Sequence, residues 1–111
     1  MKIIYNNIIP FKGFKCLNFF GLLFVRNDTS PLNSVDINHE AIHTKQMMEM
    51  LYIFFYIWYG IEYLIRYFQY PTAHQAYRNI SFEREAYYNQ WNENYLKERK
   101  HFVWLTKYLK K

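Results

Sequence analysis

The sequence predicts an α+β fold, mainly helical, as one domain over residues 1–111. Three observations carry this reading. Residues 3–26 hold short runs of Ile, Phe, Leu and Val with turn residues between them. No Gly or Pro interrupts residues 32–59 or residues 81–111. The chain is 51% hydrophobic and 23% aromatic, enough to bury a core in a domain of this size and far from the composition of a disordered chain.

The first region reads as a small N-terminal β-sheet. Asn6-Asn7, Pro10 and Gly13 punctuate it, so two or three short strands are expected, with Leu22–Arg26 the best formed. Residues 27–31 are a loop by composition. A long helix then runs over about residues 34–68, capped by Ser34 or Asn33 and bending near Gly60. Tyr70-Pro71 ends it, because proline cannot continue a helix and restricts the residue before it. Glu62 and Arg66 form an i,i+4 pair on its later half. Residues 71–80 connect, with a helical turn around residues 73–77. A last helix begins near Ser81, where Glu83 and Glu85 in the first turn suit the helix dipole. Phe102, Leu105 and Leu109 recur at helical spacing and carry helix toward the C-terminus.

Charge is concentrated at one end. Residues 97–111 hold six basic residues against Glu98, a balance of +5, whereas residues 1–96 hold eight of each sign and balance to zero. A solvated basic tail is the expectation. Nucleic acid is not the expected partner, while an anionic membrane surface remains compatible with Lys and Arg among aromatics. The apolar runs at residues 16–25 and 50–61 fall short of the about 20 residues a membrane span needs. No segment has the pattern of a signal peptide, and the expected place is cytoplasmic, with membrane association admitted. Cys16, the single cysteine, lies in an apolar stretch and reads as a small buried hydrophobe.

The chemistry is concentrated in His39-Glu40-Ala41-Ile42-His43. Two histidines four residues apart on a helix lie on one face, about one turn apart, and both imidazoles can reach one ion. Zinc (Zn2+) suits neutral imidazole nitrogen at about 2.0–2.1 Å. Glu40 follows the first histidine and projects beside the ion, where it can act as general base and acid. A catalytic zinc needs a third protein ligand and an open fourth position. Glu49 lies about 9 Å beyond His43 along a continuous helix and on another face, so it is rejected. Glu83 and Glu85 remain, on the first turn of the last helix. They point roughly 160–200° apart, so only one can ligate. Ala86, one turn after Glu83, would let the two helices pack closely at the ion and favours Glu83.

The motif HEAIH followed by E-x-x-A on a later helix resembles the gluzincin branch of zinc metallopeptidases. It is similar in particular to minigluzincins and to the catalytic cores of CaaX-prenyl protease and HtpX-like families. The resemblance implies a zincin-like minimal domain that hydrolyses peptide bonds in a peptide or protein substrate. It implies His39, His43 and Glu83 as zinc ligands and Glu40 as general base and acid. It also implies a strand before the motif helix that binds extended substrate by edge pairing, a place that Leu22–Arg26 fits. Those families often carry Asp one residue after the Ala; here Tyr87 stands there. His74 and Tyr77 are the candidate donors to a developing oxyanion. The alternative is a zinc-stabilised binding scaffold, non-catalytic or latent, whose basic aromatic tail folds over the cleft.

Overall fold

The computed structural model describes residues 1–12, 14–29 and 31–110; Gly13, read above as a turn residue, and Lys111 of the basic tail lie outside the described residues. The fold is α+β. Strands β1 (Lys2–Asn6), β2 (Cys16–Phe19) and β3 (Leu22–Arg26) form one sheet in the order β1-β3-β2. β1 runs parallel to β3, and β2 runs antiparallel to it with Phe19 opposite Leu22. Phe20 and Gly21 make that hairpin turn, and both have positive φ (53° and 85°), the backbone that a tight two-residue hairpin turn demands. Glycine meets the demand freely at Gly21. At Phe20 the strain is offset by ring packing on Tyr52 and Tyr56.

The sheet leads into α1 (Ser34–Glu49), which carries the HEAIH motif. Of the two expected caps Asn33 is the one used. Its side chain accepts from the Asp36 N–H, while the Asp36 carboxylate accepts from the Asn33 N–H, a reciprocal capping box. Lys15 reaches Asp36 at 2.7 Å and ties the loop before β2 to the same turn.

The single long helix read over about residues 34–68 is two helices. α1 stops at Glu49, and α2 (Ile53–Gln69) starts after a sharp reversal. The Tyr52 N–H bonds the Met47 carbonyl and the Leu51 N–H bonds the Met48 carbonyl, the pairing of a Schellman stop. Leu51 sits at the left-handed position (φ 51°), and Tyr52 also has positive φ (61°). Glycine usually marks such a stop. Here leucine occupies it at a cost of about 1–2 kcal/mol, so no breaker is visible in the sequence. Gly60, where a bend was expected, lies inside α2.

α2 ends at Gln69 before Tyr70-Pro71 as expected, and α3 (Ala73–Arg78) fills the connector. α4 (Ser81–Asn89) follows. Ser81 is the first helical residue, and Ile80 stands at the cap without a side-chain hydrogen bond. The Glu62 carboxylate, reaching over from α2, accepts both the Ser81 N–H and its hydroxyl, and it also pairs with Arg66. Helix does not continue to the C-terminus. α4 stops at Asn89, and among the described residues only α5 (Tyr95–Glu98) and a π-helical turn over Trp104–Tyr108 follow. The Asn38 amide donates to the carbonyls of Asn89, Gln90 and Asn92 and so closes the end of α4. Trp104 enters the core with Met47, Phe55, Ile80 and Phe82. Arg99 is held between Glu49 and Glu85. The tail is therefore built into the body of the domain. Among the described residues no helix is long and apolar enough to cross a membrane.

Candidate metal centre

α1 and α4 pack against each other, and Ile42 of α1 and Ala86 of α4 are both fully buried. This brings His39 and His43 from α1 against Glu83 from α4, and the three side chains are 10% exposed or less. Glu83 Oε1 lies 3.0 Å from His43 Nε2 and 3.3 Å from His39 Nε2, and the two Nε2 atoms are 3.1 Å apart. Three donors of a tetrahedral zinc at about 2.0–2.1 Å would be about 3.3 Å apart. The triangle is thus within a few tenths of an ångström of that edge. This buried group can hold a metal ion.

The electrostatics point the same way. Two imidazole nitrogens and a carboxylate oxygen at these distances need positive charge among them. Burial disfavours a charged His43, but the facing Glu83 carboxylate outweighs burial and lifts the His43 pKa from 6.5 to about 9. Burial also opposes a charged Glu83, yet the two imidazoles, His43 foremost, hold its carboxyl well below the usual range. Without a metal, a proton supplies the charge that a cation would supply.

Each ligand is held from behind. His39 Nδ1 meets Gln90 Oε1 at 2.7 Å, and His43 Nδ1 meets Gln46 Oε1 at 2.8 Å. Gln46 is oriented in turn, because its amide nitrogen donates to the Phe82 carbonyl and to Glu85. An acceptor at Nδ1 keeps the proton there and leaves the Nε2 lone pair for a metal. The Tyr59 hydroxyl donates to Glu83 Oε2 at 2.8 Å, which leaves Oε1 to face the histidines. Burial foremost, with Glu83 next, pushes the Tyr59 pKa far up, so the hydroxyl stays a neutral donor.

A cavity of about 290 Å³ opens beside the cluster. Glu40 lines it, with Oε2 4.0 Å from His39 Nε2. Burial is the main influence on Glu40 and raises its pKa. Met47, Phe55, Tyr56 and Tyr59 supply an apolar wall, and Cys16, Leu17 and Asn18 of β2 form the opposite rim. Asn18 anchors that rim by donating to the Glu40 carbonyl and to Thr44. Cys16 is partly buried, and burial together with nearby Glu40 pushes its thiol up to about 12, which leaves it neutral.

Several sequence expectations change here. Leu22–Arg26 is the central strand, paired on both sides, and has no free edge for a substrate. The outer strand against the cavity is β2. Glu85, the other candidate ligand, is fully buried on the far side of α4 and is bound by Arg99, Tyr95 and Gln46. Glu49 accepts from Arg99 and the Phe102 N–H, away from the cluster. Tyr77 lines the cavity and its hydroxyl meets that of Tyr87 at 3.1 Å. His74 does not line the cavity. It is exposed on α3, with its ring 6.1 Å from that of Tyr77. Tyr87, standing where the resemblance leads one to expect Asp, packs edge-on against His39 at 4.5 Å. The tail does not cover the cleft, since no described residue beyond Glu83 lines it.

Gln46, Gln90 and Tyr59 were not singled out in the sequence. Gln46 could have been, because it stands three residues after His43 on the same helix face. Gln90 and Tyr59 reach the site only through tertiary packing. Comparison of the chain with family models, with curated proteins and with solved structures finds no match.

Proposed function

We propose that this chain is a zinc-dependent metallopeptidase-like hydrolase of the gluzincin type, with His39, His43 and Glu83 as ligands and Glu40 as general base and acid. The observation that carries the reading is the triangle of Nε2, Nε2 and Oε1 at 3.0–3.3 Å with Glu40 beside it on an open cavity. Two imidazoles and one carboxylate are a donor set typical of catalytic zinc. Bound zinc supplies Lewis acidity, lowering the pKa of water toward about 7 and polarising a carbonyl.

The protein's own part follows from position. Glu40 takes the proton of the attacking water as its oxygen bonds to the carbonyl carbon. The same carboxyl returns that proton to the amide nitrogen as the C–N bond breaks. Tyr77, which lines the cavity, is the donor to the developing oxyanion in this reading, and Tyr59 holds Glu83 in place. An extended peptide or protein segment along β2 is the substrate this arrangement favours.

The test has two stages. Protein purified without added metal, then reconstituted, should hold one zinc per chain, and Glu83→Ala should not. Peptide-library digestion should give cleavage that Glu40→Gln abolishes while zinc stays bound. Stoichiometric zinc without any cleavage would favour the second reading, a metal-stabilised scaffold, which the low exposure of all three ligands also suits. Removing residues 97–111 would not discriminate these readings, because it takes Trp104 out of the core and Arg99 away from Glu49 and Glu85.

A further inference from the structure

We propose that α2 pairs antiparallel with α2 of a second copy of this chain, the two helices crossing at Ile61. The inference does not rest on the metal centre. A surface helix ordinarily turns its apolar stripe inward and its charges outward. In α2 the two charged residues, Glu62 and Arg66, are 4% exposed, face the protein and pair with each other. The outward residues Phe54, Ile57, Ile61, Leu64 and Phe68 are each more than half exposed. Their spacing alternates three and four residues without a break. This is the heptad seam by which one helix packs on another, and here it stays largely exposed.

At 100° per residue these five positions and Ile65 fall within an arc of about 100° and run about 21 Å along the axis. From their exposure they offer roughly 750 Å² of surface per copy, close to the about 800 Å² that each partner brings to a specific interface, and more than a monomer ordinarily leaves in one patch. Neither flank suits lipid headgroups. α2 has no exposed charge, and the Trp58 N–H turns inward to Glu62 at 3.0 Å. The same lack of charge lets two copies meet along α2 without like-charge repulsion. Gly60, next to Ile61, is a poor helix former, and a Cβ there would meet nothing within 4 Å. Its own chain has no need of a glycine at this place, whereas a helix crossing at Ile61 uses the room.

Two features select the antiparallel arrangement. The seam is symmetric about Ile61, with Phe54 seven residues before it and Phe68 seven after. A two-fold axis through Ile61 sets this residue against its own counterpart and Phe54 against the partner's Phe68, an isologous contact that closes as a dimer. Charge agrees. Arg66 holds the Leu109 carbonyl and so ties the basic tail, which accounts for the net charge of +5, to the C-terminal half of α2. Parallel helices would bring two such tails to one end, whereas antiparallel helices place them at opposite ends.

The experiment is sedimentation velocity of the full chain at micromolar concentration, with disulfide trapping to read the orientation. The parent chain should sediment as a pair of 13.9 kDa chains. Ile61→Glu and, independently, Leu64→Glu should each raise the dimer dissociation constant about a hundredfold or more, with circular dichroism unchanged. Phe11→Ser removes a more exposed ring away from α2 and should leave the pair intact. Under mild oxidation Ile61→Cys should cross-link to itself, and Phe54→Cys should link to Phe68→Cys but not to itself, with the parent chain as the control for Cys16. A monomeric parent chain would overturn the proposal, as would a dimer indifferent to both Glu substitutions or self-linking of Phe54→Cys. A chain that is monomeric in solution and binds phosphatidylcholine vesicles, with that binding lost in Ile61→Glu, would assign the face to lipid instead.

Discussion

Metal binding should expel a proton from the cluster, and the amount follows from His43. Its pKa of about 9 in the metal-free protein means that at pH 7 it is roughly 99% protonated. A metal takes the Nε2 lone pair that the proton occupies, so about one proton must leave per ion bound. At pH 9 about half a proton should leave. Over the same range the apparent zinc affinity should rise about tenfold per pH unit and level off above pH 9. Isothermal titration in two buffers with different ionisation enthalpies counts the protons directly. Glu83→Gln is the control. It removes the charge chiefly responsible for raising the His43 pKa, so both proton release at pH 8 and affinity should fall. Zinc binding at pH 7 with heats independent of the buffer would refute the argument, because the cluster would then be held together without a proton.

The same shift has a consequence for the metal-free protein. A histidine whose pKa is raised on folding stabilises the fold fully below its unfolded value of 6.5 and loses that contribution as pH climbs through about 9. The loss should be on the order of 3 kcal/mol in denaturant titrations, and saturating zinc should abolish it. Gln46→Leu removes the acceptor at His43 Nδ1 and should weaken zinc binding about 10–100-fold, read by competition with a chelator. Leu51→Gly should stabilise the domain by about 0.5–1 kcal/mol in urea unfolding, because Leu51 is 72% exposed and sits at a left-handed position that glycine adopts without strain. A loss of stability there would mean that the leucine side chain contributes packing that outweighs its backbone cost.

Much of the domain was legible from residue order, because the signals were local. Runs of β-branched and aromatic residues marked the sheet, and Leu22–Arg26 begins and ends where its composition says. Asn33 and Tyr70-Pro71 bounded the helical region through caps and proline geometry. The i,i+4 spacing of His39 and His43 put both on one face of α1 before any tertiary contact was known. Glu83 was separated from Glu85 by helix geometry and the small residue one turn on, leaving the final choice to whichever face of α4 meets α1.

What the sequence hid was decided by contacts between distant segments. The stop after Glu49 carries no glycine, because a Schellman closure was made with leucine and tyrosine at positive φ. The strand beside the cavity is β2, since pairing order in a sheet depends on which edges meet rather than on which run is most apolar. Glu62 acts as the cap of α4 from another helix, and Trp104 turns the tail inward, so neither local propensity nor periodicity could place them. The sequence by itself determined that two histidines and a glutamate share one turn of one helix. Only the tertiary structure determined that Glu83 closes the triangle, that two glutamines and a tyrosine orient it, and that α2 turns its apolar face outward. A helix sets spacing by its own hydrogen bonds, but the partner each face meets is set by how the whole chain packs.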